Sequence, residues 1–362
     1  MASQRIEYLD AVKGFAIFLV VFAHAIGWNI SDIESILDPD YHQSIDSAAK
    51  GLVWSIIYSF HMPLFFMVSG YFLASINYGM SKAEKIIKLK KQVFNKNKKL
   101  LLPYFITGFL MLLWHGYYGY WFLFSLWEVS LLSLLMVFLM SFSKKSQKIW
   151  FDVLCWGAFY LILRIILPRL PHYDWVEFDR CLFSLPAFIC GIFMRKYDLL
   201  KYITTKKCYA AVGGFILTFS LAYLPYLYPD SIYAHKFSVG LRLYIIPLFG
   251  CVAVIGFFKL LSVRLTNIKK GGYATFFNMM KYLGLFTLEI YIFHIFFVIR
   301  MPAIGDWIAS LHPAALFPLQ IVYASVLAAI AILLSVLIAK LTVRIPGVSL
   351  LMFGKDKASC HS

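Results

Sequence analysis

The chain is written as long apolar runs separated by short polar connections. A run needs about 20 residues to cross a hydrocarbon layer roughly 30 Å thick, and fewer when kinked or shielded. Ten runs approach or reach that length: about 9–28, 52–76, 100–115, 121–142, 149–167, 182–194, 208–226, 240–258, 282–299 and 316–339. Lipid offers backbone amides no partner, so each run is expected to close its hydrogen bonds internally as a helix. The expected fold class is all-α: a polytopic integral membrane bundle of about ten transmembrane helices, with residues 1–362 forming one domain. The shortest run, LFSLPAFICGIFM, holds Pro186 and Gly191.

The connections alternate in charge. With the N-terminus inside, the inside segments hold 26 of the 34 Lys and Arg residues, eight of them in 77–99. The outside loops hold Lys50, Arg169, Arg180, Lys236 and Arg300, and the spans hold Lys13, Arg164 and Arg242. The positive-inside rule then places both termini in the cytoplasm with an even number of spans. The outside loop 29–50 is acidic, with Asp32, Glu34, Asp38, Asp40 and Asp46.

Composition narrows the class further. Hydrophobic residues make up 61% of the chain, charged residues 14%, and mean hydropathy is +0.75. Soluble domains carry about 25% charged residues, so lipid must be part of this chain's solvent. The net charge of +16 could suggest nucleic acid, but orientation in a membrane accounts for it, and no nucleic-acid partner is expected. The first run carries Lys13 and His24 and no small-residue cleavage site follows, which argues against a removed signal peptide. Six cysteines form no CxxC pair, so neither a metal site nor a disulfide framework is expected.

Ionisable groups at bilayer depth are costly and point to function. In RIEYLDAVKGFAIFLVVFAHAIGW, Lys13 and His24 are eleven residues apart, about 16 Å along a helix and nearly on one face. Asp10, one turn before Lys13, can pair with it. His61 in YSFHMPLFFMVSGYF and His294 in LGLFTLEIYIFHIFF reach similar depth on two other runs. Pro63 removes a backbone donor beside His61, and Ser69 and Gly70 would admit a close helix. Three mid-membrane histidines suggest a shared polar cavity, although each could instead bond a neighbouring helix. Trp121, Glu128, Arg242 and Glu289 are further cavity candidates. Lys96 and Lys99, one turn apart before a span, either touch anionic lipid or bind a polyphosphate from the cytosol.

At these residues the sequence resembles the acyltransferase-3 family of integral membrane O-acyltransferases, whose stand-alone members include the fucose 4-O-acetylase type. The resemblance rests on Lys13 and His24 in YLDAVKGFAIFLVVFAH, and on Phe60, His61, Met62, Pro63, Leu64, Phe65, Phe66, Ser69 and Gly70. KNKKLLLPY, the YWFL and FICGIFMRKY stretches, LGLFTLEIYIFH and RIPGVSLLMFGK extend it along the chain. The family often shows Arg-x-x-Arg before the third span where this chain has Lys96 and Lys99, which keep the charge but lose the bidentate fork.

The resemblance implies transfer of an acyl group, usually acetyl, from cytosolic acyl-CoA to a sugar hydroxyl of a surface glycan or its lipid-linked precursor. Acetyl-CoA or another acyl-CoA would be a donor substrate, with no permanently bound cofactor and no metal. The partners implied are that donor, a carbohydrate acceptor and the lipid bilayer, and the location implied is the plasma (bacterial inner) membrane. His24 would act as general base, or become acylated itself. His61, Ser69 or a backbone donor near Pro63 would stabilise the oxyanion, and Asp10 completes the catalytic set. Lys13, Lys96 and Lys99 would hold the donor. No hydrolase-like extracellular domain is present in this chain, so transfer is expected to finish within the membrane domain. A proton- or ion-coupled small-molecule transporter is the alternative reading, and a lipid-linked glycan flippase or polymerase ranks behind it.

Overall fold

The computed structural model describes residues 6–31, 33, 49–73, 76–116, 119–169, 178–223, 232–265, 271–345 and 347–355. The acidic positions of loop 29–50 lie outside these. Among the described residues every regular element is helical. In chain order the helices are α1 Glu7–Gly27, α2 Leu52–Tyr58, α3 His61–Tyr71, α4 Lys82–Lys96, α5 Leu102–His115 and α6 Trp121–Met140. They continue with α7 Ile149–Ile166, α8 Phe178–Lys196, α9 Thr205–Leu221, α10 Ile232–Gly240 and α11 Ile246–Leu265. The last are α12 Gly272–Leu285, α13 Thr287–Phe297, α14 Pro302–Ala309, α15 Pro313–Val343 and α16 Val348–Phe353. One-turn π-helices, Asn97–Leu101 and Leu241–Ile245, join α4 to α5 and α10 to α11.

Six helical stretches among these are long and apolar enough to cross a membrane, or seven if a bent pair counts as one span. They correspond to the expected runs at 9–28, 52–76, 121–142, 149–167, 240–258 and 316–339. The run at 282–299 is the bent pair: α12 and α13 meet at an angle of 87° about Phe286. The described parts of the runs at 100–115, 182–194 and 208–226 fall largely in α5, α8 and α9. Large apolar side chains stay exposed along whole faces, such as Val153, Leu154, Leu161 and Ile165 of α7 and Val326, Leu333, Leu337 and Leu341 of α15. Faces of this size mark an interaction surface, and on helices long and apolar enough to cross a membrane that surface meets lipid: the chain is an integral membrane protein.

The chain divides into two compact units. The first comprises residues 1–65 and 202–339, the second 66–201 and 340–362. In the first, α1 is the central element, buried on nearly every side. Its backbone meets that of α12 at two glycines. A Cβ on Gly14 would stand 1.7 Å from the Met280 carbonyl oxygen, and one on Gly284 would stand 1.9 Å from that of Asp10. No residue with a side chain fits either position without parting the helices.

The second unit repeats the device. A Cβ on Gly70 would lie 2.1 Å from the Phe188 carbonyl oxygen, and one on Gly191 1.9 Å from that of Met67. The close approach expected at Gly70 is thus met by α8. Helix α4 lies outside the apolar runs. Ser81 and Glu84 cap it reciprocally, the Glu84 amide donating to Ser81 Oγ and the Ser81 amide to Glu84 Oε2.

Candidate active site

Two of the three mid-membrane histidines meet directly. His24 in the last turn of α1 and His294 in α13 place Nδ1 and Nε2 2.8 Å apart. The ring planes are within 4° of parallel and the centroids are 5.1 Å apart. A nitrogen separation that much shorter than the centroid separation puts the contact in the ring plane, along the lone pair. It is a hydrogen bond rather than a stack.

The partner atoms fix the proton positions in the neutral pair. His294 Nδ1 lies 2.9 Å from the Ile290 carbonyl oxygen. A carbonyl can only accept, so His294 carries its proton on Nδ1 and presents Nε2 as an acceptor. His24 must then donate from Nδ1, which leaves the lone pair of His24 Nε2 without a proton. The same logic that sets the tautomer of a catalytic histidine through its far nitrogen operates here, with an imidazole and a backbone carbonyl as the orienting groups. His294 is fully buried, whereas His24 is only half-buried. The relay therefore ends on its one accessible ring.

His61 begins α3 and is buried. It lies within electrostatic range of His24. Its Nδ1 donates to the Ile57 carbonyl at 2.8 Å, and Ser59 Oγ donates to the Ile56 carbonyl at 2.6 Å. These side chains satisfy carbonyls at the break between α2 and α3, as membrane depth demands. Pro63 sits in the first turn of α3, where a missing amide costs no helical bond.

The other predicted residues fall as follows. Asp10 pairs with Lys13 at 2.6 Å, the contact the i,i+3 spacing implied, and lies fourteen residues before His24. Glu289 is buried in the first turn of α13. Arg242 lies in the second π-helix and donates to the Ala222 carbonyl at 3.3 Å, an acceptor it shares with Ser238 Oγ. These belong to the first unit. In the second, Lys96 is half-buried and Lys99 exposed, flanking the start of the first π-helix. Burial and the neighbouring Lys99 charge push the Lys96 ammonium down to about 8. Trp127 Nε1 donates to Asn97 Oδ1 at 2.7 Å, tying this turn to α6. Trp121 lies 4.4 Å beneath the Arg180 guanidinium, Glu128 is buried, and Ser69 is half-buried.

Two features carried no signal in the sequence reading. Trp28 stacks on His24, with centroids 4.8 Å apart and planes 9° apart, and its own ring lies 4.8 Å from the Arg300 guanidinium. In the second unit Asp152 is fully buried and bonded to Lys196 Nζ and Tyr197 Oη. That cluster borders a cavity of about 260 Å³ that Arg195, Asn77 and Trp156 also line. Asp152 meets Lys196 and Tyr197 only through the packing of α7 against the end of α8, which the sequence does not report.

No curated protein and no solved structure matches the chain. The model of the acyltransferase-3 family, described as an acyltransferase domain, matches residues 6–340. With nearly its whole length covered, this membrane protein, helical throughout its regular elements among the described residues, belongs to the acyltransferase-3 family, and family membership makes it a membrane acyltransferase.

Proposed function

We propose that the protein transfers an acyl group, most simply acetyl, from cytosolic acyl-CoA to a sugar hydroxyl of a surface glycan or its lipid-linked precursor. The observation that carries this reading is the relay from the Ile290 carbonyl through His294 to His24, which ends on a half-buried ring with a proton-free Nε2. A sugar hydroxyl is a poor nucleophile near neutral pH and needs such a base. His24 Nε2 takes the hydroxyl proton as the oxygen attacks the thioester carbonyl carbon. The tetrahedral oxyanion then collapses, the C–S bond breaks, and the thiolate leaves with the proton that His24 held. His294 keeps the imidazolium oriented throughout. Ser69 is assigned to the oxyanion, and His61 joins it only as an imidazolium, because its Nδ1 proton is held by the Ile57 carbonyl and its neutral Nε2 can only accept.

Lys13, oriented by Asp10, and the pair Lys96 and Lys99 take the donor phosphates. The π-turn favours this role for the lysines, because such turns concentrate at functional sites. Trp121, Glu128, Arg242 and Glu289 are assigned to acceptor binding. The positive-inside count supports ten crossings in a plasma membrane with both termini cytoplasmic, α5, α8, α9 and the bent pair adding to the six long stretches.

The test compares surface glycan from cells carrying the wild-type gene, a deletion and His24→Ala. Mass spectrometry before and after mild alkali should find an ester-linked acyl mass in the wild type alone, with the variant still present in membranes. Equal ester content in wild type and His24→Ala would overturn the mechanism.

A further inference from the structure

The hydrogen bond between His24 and His294 joins helices distant in sequence, and something must hold their register. Asn29 lies five residues after His24, and Ile299 lies five residues after His294. Asn29 Nδ2 donates to the Ile299 carbonyl at 3.1 Å. The two contacts span the same sequence separation of 270 residues. They are successive rungs of one ladder between two chain segments running in the same direction.

Asn29 is fully buried and its amide capacity is filled. Nδ2 also donates to the Ala25 carbonyl at 2.9 Å. Oδ1 accepts from the Met301 amide and, at 3.1 Å, from Tyr323 Oη of α15. One side chain thus ties the end of α1 to the chain leaving α13 on both its donor and acceptor sides, and braces both against α15. The backbone is clamped at the same point. A Cβ on Gly305 would stand 1.7 Å from the Asn29 carbonyl oxygen, and Ser31 meets the Asp306 carboxylate through its amide and hydroxyl, each at 2.8 Å. A buried amide with every valence used in this way is highly directional, since no rotation preserves four bonds.

We propose that Asn29 is a positioning residue for the acyl transfer: it sets the register that keeps His24 Nδ1 in line with His294 Nε2. The inference rests on the histidine reading of the site. Asn29 touches no reacting atom, so its loss acts only through the relay. A slack relay lets His24 rotate or change tautomer, and a base misplaced by an ångström loses about 10²-fold in rate.

The experiment is a double-mutant cycle on Asn29→Ala and His294→Ala, in inverted membrane vesicles containing the host glycan. Release of CoA thiol from acetyl-CoA is the readout. Asn29→Ala should lower kcat tenfold or more and change the acetyl-CoA KM less than twofold. The double variant should be no slower than His294→Ala alone, because residues acting as a unit are non-additive. Additive losses, or a wild-type kcat for Asn29→Ala while His294→Ala is impaired, would overturn the assignment and leave the histidine reading standing. A wild-type kcat for His294→Ala would overturn both. Should Asn29→Ala not accumulate, Tyr323→Phe removes one brace with little change in shape. It should lower kcat about threefold at unchanged KM, and unchanged kcat would count against the proposal.

Discussion

Each unit buries a polar cluster among apolar helices, and the two clusters are finished differently. In the second unit the Asp152 carboxylate holds a lysine and a tyrosine, and its own surface is wholly covered. Both partners meet one oxygen, Oδ2, which neutralises the charge locally, while Oδ1 is buried beside the cavity without a hydrogen bond. In the first unit the chain from Ile290 through His294 to His24 carries no carboxylate, and it stops on a half-buried ring with a nitrogen to spare. Both arrangements pair most of their polar groups at depth, and each leaves one acceptor over, Asp152 Oδ1 in the second unit and His24 Nε2 in the first. What separates them is exposure: the ring that ends the first chain is half-buried, whereas the carboxylate of the second is wholly covered. Depth and ionisability alone do not separate function from structure in a membrane; the exposure of the last group does.

The strongest way to break this comparison is to remove one member from each cluster. His294→Ala should lower the transfer rate about 10²-fold, since it frees the tautomer and orientation of His24, while the amount of folded protein stays near wild type. Asp152→Ala should do the reverse. It strands Lys196 and Tyr197 at the expense of about 2 kcal/mol of stability, allowing for the partial exposure of Lys196. The rate per folded molecule should not change. Thermal unfolding in nanodiscs, read beside CoA release, separates these outcomes. A loss of rate without a loss of stability in Asp152→Ala would put the covered cluster in the reaction.

A smaller effect tests the frame that both clusters hang on. Gly14→Ala forces a methyl group against the Met280 carbonyl, and Gly70→Ala forces one against that of Phe188. Each should cost about 1–3 kcal/mol as the helices separate. Gly14→Ala should also slow transfer, because α1 carries His24, whereas Gly157→Ala, which meets open space, should do neither.

The sequence showed those parts of the molecule that depend on local spacing. Asp10 and Lys13 pair because residues three apart share a helical face, and Gly70 reads as a close approach because small residues let helix backbones meet. The depth of the three histidines follows from their distance into each run. What stayed hidden depends on which helices meet. Nothing in LGLFTLEIYIFHIFF reports the 87° turn at Phe286, since its apolar pattern is continuous. The bond between His24 and His294 joins positions 270 residues apart. Asn29 read as the first residue of a polar loop, because an amide at the end of a run is ordinarily solvated. Its partners are two backbone carbonyls, a backbone amide and a tyrosine that no pattern brings together.

The lysine pair of the second unit sharpens the comparison from the other direction, because there the open valence is a charge. Lys96 is held down to about 8 by burial and by Lys99, so it is mostly charged at pH 7 and mostly neutral at pH 9. A donor polyphosphate favours the charged form and must restore the proton before it can use the contact. The acetyl-CoA KM should therefore rise as pH passes upward through 8, by up to about tenfold between pH 7 and 9, while kcat changes less. Lys96→Arg keeps the charge at every pH in that range and should flatten the KM profile. A wild-type KM independent of pH, or an unaltered slope in Lys96→Arg, would remove Lys96 from the donor site and leave its charge to the anionic lipid surface.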